Sequence, residues 1–126
     1  MLHWKSLESA YRTSPFFEYY EDEMVHLFKK RKEFLLDFNY ECMEVINDCL
    51  QLDVSYTKTK SYQKDPSELQ DMRILAKAKK EKTYKLDSYI QVFSDKYGFI
   101  PNLSILDLLF HEGTSASTYL ENQSIF

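Results

Sequence analysis

Ser104, Asp107 and His111 are the polar residues of a run, Leu103 to His111, that is otherwise apolar. They recur at i, i+3 and i+7, so a helix would carry them on one narrow stripe. A hydroxyl, a carboxylate and an imidazole on one face are the ingredients of nucleophilic catalysis. A working triad, however, needs the imidazole between nucleophile and carboxylate, each within hydrogen-bond reach. On a single helix Asp107 lies between the other two, which is the wrong order. The same residues have a plainer use: Ser104-x-x-Asp107 spells a capping box, and His111 falls in the last turn before a C-cap at Gly113. The spacing favours capping, with Asn102 sharing the role.

Other chemistries are poorly supplied. His3, His26 and His111 share no ligand spacing with one another or with Cys42 and Cys49. His111-Glu112 opens like a zinc-protease helix, but Ser115 stands where the second histidine is required. No metal site and no cofactor is expected. Cys42 and Cys49 are seven residues apart on a predicted helix, a rise of ~10 Å that a disulfide does not span. They read as buried, inert thiols in a reducing compartment. With only two glycines in the chain there is no Gly-rich phosphate loop, and no carboxylate pair stands out among 20 acidic residues. Residue chemistry by itself names no reaction.

The elements that must position these groups start with the segment bracketed by Gly98 and Gly113, the two residues free to take positive φ cheaply. Between them a turn feeds a short helix over 103–112, apolar nearly all round and so expected at the centre of the domain. Trp4, Leu7, Ala10 and Tyr11 predict a first helix over 2–12, stopped by Thr13-Ser14-Pro15. Ser14 as N-cap and Pro15 at N1 are expected to open the second helix, acidic early and basic late. Leu35, Phe38, Cys42, Val45, Cys49 and Leu52 predict a long third helix over 33–52, its arc wide enough for two neighbours. Residues 54–62 then alternate Val, Tyr, Lys, Lys, Tyr with Ser and Thr, the pattern of an exposed edge strand. Asp65-Pro66-Ser67-Glu68 reads as a helix start, and that helix would end in the basic run 77–82. Tyr84, Leu86, Ile90 and Val92 predict a second strand over 84–93, and Ala116, Tyr119 and Leu120 a last short helix. The expected class is mainly α with a small β component (α+β), in one domain over 1–126.

Size and charge narrow the function classes. A chain of 126 residues can bury a core without disulfides or metal. Net charge is −4, which argues against a nucleic-acid binder driven by backbone phosphates. The run 29–32 reads as a solvated helix end and 77–82 as too short a basic cluster to change that. No apolar run is long enough for a membrane span, and Met1-Leu2-His3-Trp4-Lys5 lacks a signal-peptide core, so a cytoplasmic protein is expected. The 10 Tyr and 9 Phe suit a small core, and also wet pockets and interfaces. Helical patterning already runs at Trp4 with no lead-in, the look of a chain entered partway through something larger.

Two stretches resemble the WbqC-like family. One is residues 3–20, HWKSLESAYRTSPFFEYY; the other runs from Tyr89-Ile90-Gln91-Val92-Phe93 through Gly98–Gly113 to Tyr119-Leu120. The resemblance implies the C-terminal part of such a protein, with an N-terminal portion lacking. It further implies a bacterial role in surface polysaccharide (O-antigen) biosynthesis, with transfer of an amino acid such as glycine onto a sugar as the candidate activity. The implied partners are a sugar or aminoacyl donor, or the lacking portion. It supplies no catalytic residues. A substrate site is expected where the stretches meet, from His3, Tyr11, Tyr20, Asn102, Asp107 and Glu112. The rival expectation is a non-catalytic helical module that packs on a partner protein.

Overall fold

The computed structural model describes residues 2–77, 79 and 83–125. Two compact units emerge: Met1–Val54 with Lys85–Phe126, and Ser55–Tyr84. In the larger unit, helices α1 (Leu2–Tyr11), α2 (Phe17–Lys29) and α3 (Leu35–Cys49) are followed by a single-turn α4 (Ser94–Tyr97), then α5 (Ile105–Glu112) and α6 (Ala116–Glu121). A 3-10 turn, Gly113–Ser115, joins the last two.

Trp4 anchors α1, with its ring 5.8 Å from Phe17 and 5.5 Å from Phe28 of α2. Phe17, Met24, Leu109 and Phe110 are the largest fully enclosed side chains among the described residues, so the core lies between α2 and α5. The expectation of a central helix holds for α5, whose residues 107–111 are all buried. Helix α3 packs on α2 through Phe38, Cys42, Val45, Ile46 and Cys49, each half-buried. Its N-terminal Leu35 and Leu36 stand in solvent, so only part of the wide arc finds a neighbour.

Two boundary expectations change for local reasons. Ser14 does not open α2; its hydroxyl donates to the carbonyl of Tyr11 at 2.6 Å and closes α1 instead. Helix α2 begins two residues after Pro15, with Phe16 as an N-cap that makes no side-chain bond. The backbone N–H of Phe16 goes to the carbonyl of Phe110 at 2.9 Å, which seats the α1–α2 turn on α5. Gly113, at φ 57°, lies beneath the Phe16 ring, where a Cβ would come within 2.6 Å of it.

The expected α+β class is corrected: among the described residues there is no strand. Over 54–62 every side chain is exposed, so the alternation has no face to bury and no ladder to join. Over 84–93 the expected inward face is only partly kept: Tyr84, Leu86 and Val92 are half-buried, but the alternation breaks at Ile90. Ile90 is 82% exposed, whereas Gln91 is 6% exposed. The Gln91 amide takes both backbone groups of Ile100, accepting from its N–H and donating to its C=O, each at 2.9 Å. A side chain thus occupies the hydrogen bonds that a neighbouring strand would have used.

In the smaller unit the described residues form no α-helix after Asp65; Arg73–Ala76 is a 3-10 turn. Leu69 and Leu75 remain exposed, so a helix would have buried no apolar face to stabilise it. The segment gathers around Arg73 instead. Its guanidinium donates to Asp71 at 2.5 and 2.8 Å and to the carbonyls of Gln63 and Lys64 at 2.9 Å. Of the expected basic run 77–82, Ala78, Lys80, Glu81 and Lys82 lie outside the described residues. No described helix is long and apolar enough to cross a membrane.

Candidate functional site

Ser104 caps α5 as its spacing predicts, its hydroxyl accepting the N–H of Leu106 at 3.3 Å. Asp107 does not turn back to complete a capping box. It is 3% exposed and serves as an acceptor inside the core. Oδ1 receives the hydroxyl of Tyr11 at 2.9 Å, and Oδ2 the hydroxyl of Tyr89 at 2.6 Å and Nε2 of Gln91 at 3.2 Å. Three donors from two other segments compensate the loss of water around a buried carboxylate.

His111 stands one turn further along. Its Nδ1 lies 2.6 Å from the carbonyl oxygen of Asp107 and 3.7 Å from the Asp107 carboxylate. A carbonyl can only accept, so Nδ1 carries the proton in this contact. Nε2 is buried and finds no partner among the described residues. The ring is wedged between Tyr11 and Tyr89, at centroid distances of 5.9 and 6.1 Å. The Ser–Asp–His stripe is therefore a cap, a buried charge and a packed imidazole, not a catalytic relay.

The two phenols on Asp107 are proton holders. Burial first, and then the hydrogen bond to the carboxylate, raise Tyr11 and Tyr89 well above the usual phenol range. Neither is a base or nucleophile near neutral pH. Burial likewise pushes the Cys49 thiol up to about 11, with Glu23 and Asp48 adding to it, and raises Cys42. Both cysteines are free and half-buried, less enclosed than expected. Among the described residues no three His, Cys, Asp or Glu side chains converge on a metal position.

Tyr89 links this cluster to the surface. While its hydroxyl points to Asp107, its ring walls a cleft of about 300 Å³ that is also lined by Leu86, Asn102, Ser104, Leu108 and Tyr119. Tyr119 meets Tyr89 edge-on at 5.3 Å and is fixed by a 2.6 Å bond from its hydroxyl to the carbonyl of Asp87. Asn102 holds φ 56°, a conformation asparagine tolerates better than most residues. The volume and the mix of aromatic walls with a few polar groups lie at the lower end of small-ligand sites.

The expected site residues are thus dispersed. Tyr11 and Asp107 meet directly, and Asn102 lines the cleft behind which they sit. Glu112, half-buried at the end of α5, is near enough to Tyr119 to raise its phenol, after burial and Asp87. His3 is exposed on α1, and Tyr20 lies on the floor of a different cleft. Tyr89 and Gln91 were not singled out from sequence. Their signal was available: two polar-tipped residues two apart, on the face opposite Ile90 and Val92.

No curated protein matches the chain, and no solved structure does. The sequence model of the WbqC-like protein family matches residues 1–90. The match takes in the whole of the stretch 3–20, and only Tyr89 and Ile90 of the second stretch that carries the resemblance. His3, Tyr11 and Tyr20 fall within it; Asn102, Asp107 and Glu112 lie beyond. Spanning well over half of the 126 residues, it shows that the chain belongs to the WbqC-like protein family.

Proposed function

We propose that this protein serves bacterial surface-polysaccharide (O-antigen) biosynthesis by holding a sugar in the Tyr89–Tyr119 cleft for transfer of an amino acid such as glycine. The observation that carries the reading is Tyr89 itself, with its ring on the cleft wall and its hydroxyl locked onto a buried carboxylate. A ring held at both ends is a preorganised apolar wall for the face of a sugar, and Asn102 and Ser104 offer polar groups at the rim. Family membership supports the polysaccharide context. The chain's own part is binding and positioning, since the phenols and thiols at hand are held protonated. Ligand-observed NMR against activated sugars and aminoacyl donors tests the reading, with Tyr119→Ala as control. Saturable binding that the variant weakens is expected; a panel in which nothing binds sinks it.

A second reading, a non-catalytic module that packs on a partner protein, is favoured by one specific feature. Phe34, Leu35 and Leu36 are 62, 73 and 61% exposed in a row at the start of α3. Sedimentation equilibrium and dye binding decide: a strictly monomeric chain with no accessible apolar patch counts against it.

A further inference from the structure

Two exposed features meet at the turn between α2 and α3. Phe34, Leu35 and Leu36 stand in solvent one after another. Lys29, Lys30, Arg31 and Lys32 come just before them and are exposed as well. Single apolar side chains are ordinary on a surface, but three large ones in succession at a helix end are not. Leu35 also prolongs the face by which α3 packs. Leu35, Phe38, Cys42, Val45 and Cys49 share one helical stripe, and Leu35, at its end, stands clear of the core that the others meet.

The cations are more than a helix terminus requires. The pull of a helix dipole fades within the last turn. Helix α2 ends at Lys29 with Lys30 as an extended C-cap, so Arg31 and Lys32 lie beyond it. Lys32 is paired with Glu41 at 2.5 Å, whereas Lys29, Lys30 and Arg31 have no ion-pair partner among the described residues. Glu33 and Asp37 are the acids within the stretch 29–37, which keeps an excess of two positive charges. The whole chain carries −4, so this turn is locally cationic on an acidic protein.

Each feature by itself admits several partners, and together they select one. A nucleic acid would use the cations but offers leucine side chains little apolar cover. A second copy meeting this one about a two-fold axis would cover the apolar residues but bring two cationic runs together. An anionic lipid surface takes both, with phosphates for the cations and the acyl boundary for the apolar tip.

We propose that the α2–α3 turn docks this protein on an anionic membrane surface. Phe34, Leu35 and Leu36 enter the headgroup boundary while Lys29, Lys30 and Arg31 lie against lipid phosphates. The contact is peripheral, it is independent of the sugar reading, and it assigns lipid rather than a protein to the apolar patch.

The test is co-sedimentation of the full chain with vesicles of phosphatidylcholine alone, or mixed equally with phosphatidylglycerol. Binding to the anionic vesicles that added salt weakens is expected, with at least about tenfold less to the neutral ones. Lys30→Gln with Arg31→Gln should weaken it about tenfold or more. Leu35→Ser with Leu36→Ser should weaken it about tenfold as well. Both pairs are exposed, so the fold survives their replacement. Ile90→Ser removes exposed apolar surface from another segment and should change nothing. Equal binding to both vesicles, turn variants that bind like the parent chain, or an equal loss with Ile90→Ser each overturn the proposal. Binding to neither vesicle also overturns it, and a dimer in sedimentation equilibrium would then assign the patch to a second copy.

Discussion

The hydroxyl of Tyr89 donates to the carboxylate of Asp107 at 2.6 Å, tying a ring on the cleft wall to a charge inside the core. Tyr11 holds the other oxygen of the same carboxylate from α1. One buried acid therefore ties together α1, α5 and the segment of Tyr89 and Gln91.

Removing that acid should be severe. Asp107→Ala takes the acceptor from the buried or half-buried hydroxyls of Tyr11 and Tyr89 and from one N–H of Gln91, whose other bond to Ile100 remains, and should lose about 3–5 kcal/mol in urea unfolding. Asp107→Asn keeps an oxygen acceptor and should lose distinctly less. Equal effects of the two changes would show that the side chain's volume matters and its hydrogen bonding does not.

The phenols make stability sensitive to alkali. Folded Tyr11 and Tyr89 titrate above 10.0, the ordinary phenol value that the unfolded chain would show. The folded state thus prefers their neutral forms. Their contribution is whole below pH 10 and is lost as pH rises through the higher folded values. The urea midpoint should fall in that window, and Tyr11→Phe with Tyr89→Phe should flatten the fall while lowering the midpoint at pH 8. A double-mutant cycle should show coupling of at least about 0.5 kcal/mol, because both phenols share one acceptor.

Much of the helical framework was legible because its signals are local. Trp4 to Tyr11, Phe38 to Cys49 and the apolar run after Ser104 carry helical periods strong enough to survive without tertiary information. The strand expectations failed because alternation says nothing about whether a partner exists. At Gln91 the partner of Ile100 turned out to be a side-chain amide. The helix expected at Asp65 failed because a good cap cannot substitute for a face to bury, and Arg73 offered the backbone other bonds. For the site, spacing along α5 brought out Asp107 and His111, but read Asp107 as a cap. Its donors come from 96 and 18 positions away, a distance no local pattern encodes.

The two glycines should respond differently to alanine. At Gly113 a methyl group meets the Phe16 ring as well as a positive φ, so Gly113→Ala should cost about 2–4 kcal/mol. Gly98 has open space around it, but φ 68° with ψ −162° is a region nearly reserved for glycine, and the change should cost about 1–3 kcal/mol. Calorimetry on both variants checks the order. Trimming Phe16 to leucine should recover part of the Gly113→Ala loss and none of the Gly98→Ala loss.

The thiols should be sluggish. With Cys49 raised to about 11 and Cys42 raised by burial, the thiolate fraction at pH 8 is small. Alkylation by iodoacetamide should run more than about tenfold slower than for free cysteine, and reach the free rate in urea. Fast labelling of the folded chain would contradict the burial described for α3.

The bond from Phe16 to Phe110, and the ring laid over Gly113, also set an order of events. During synthesis α1 and α2 leave the ribosome roughly 90 residues before the helix that completes their core, at ordinary translation rates several seconds earlier. Through that interval Phe17 and Met24 have no α5 to cover them. A chain stopped short of Asp107 should therefore remain open to protease at α1 and α2.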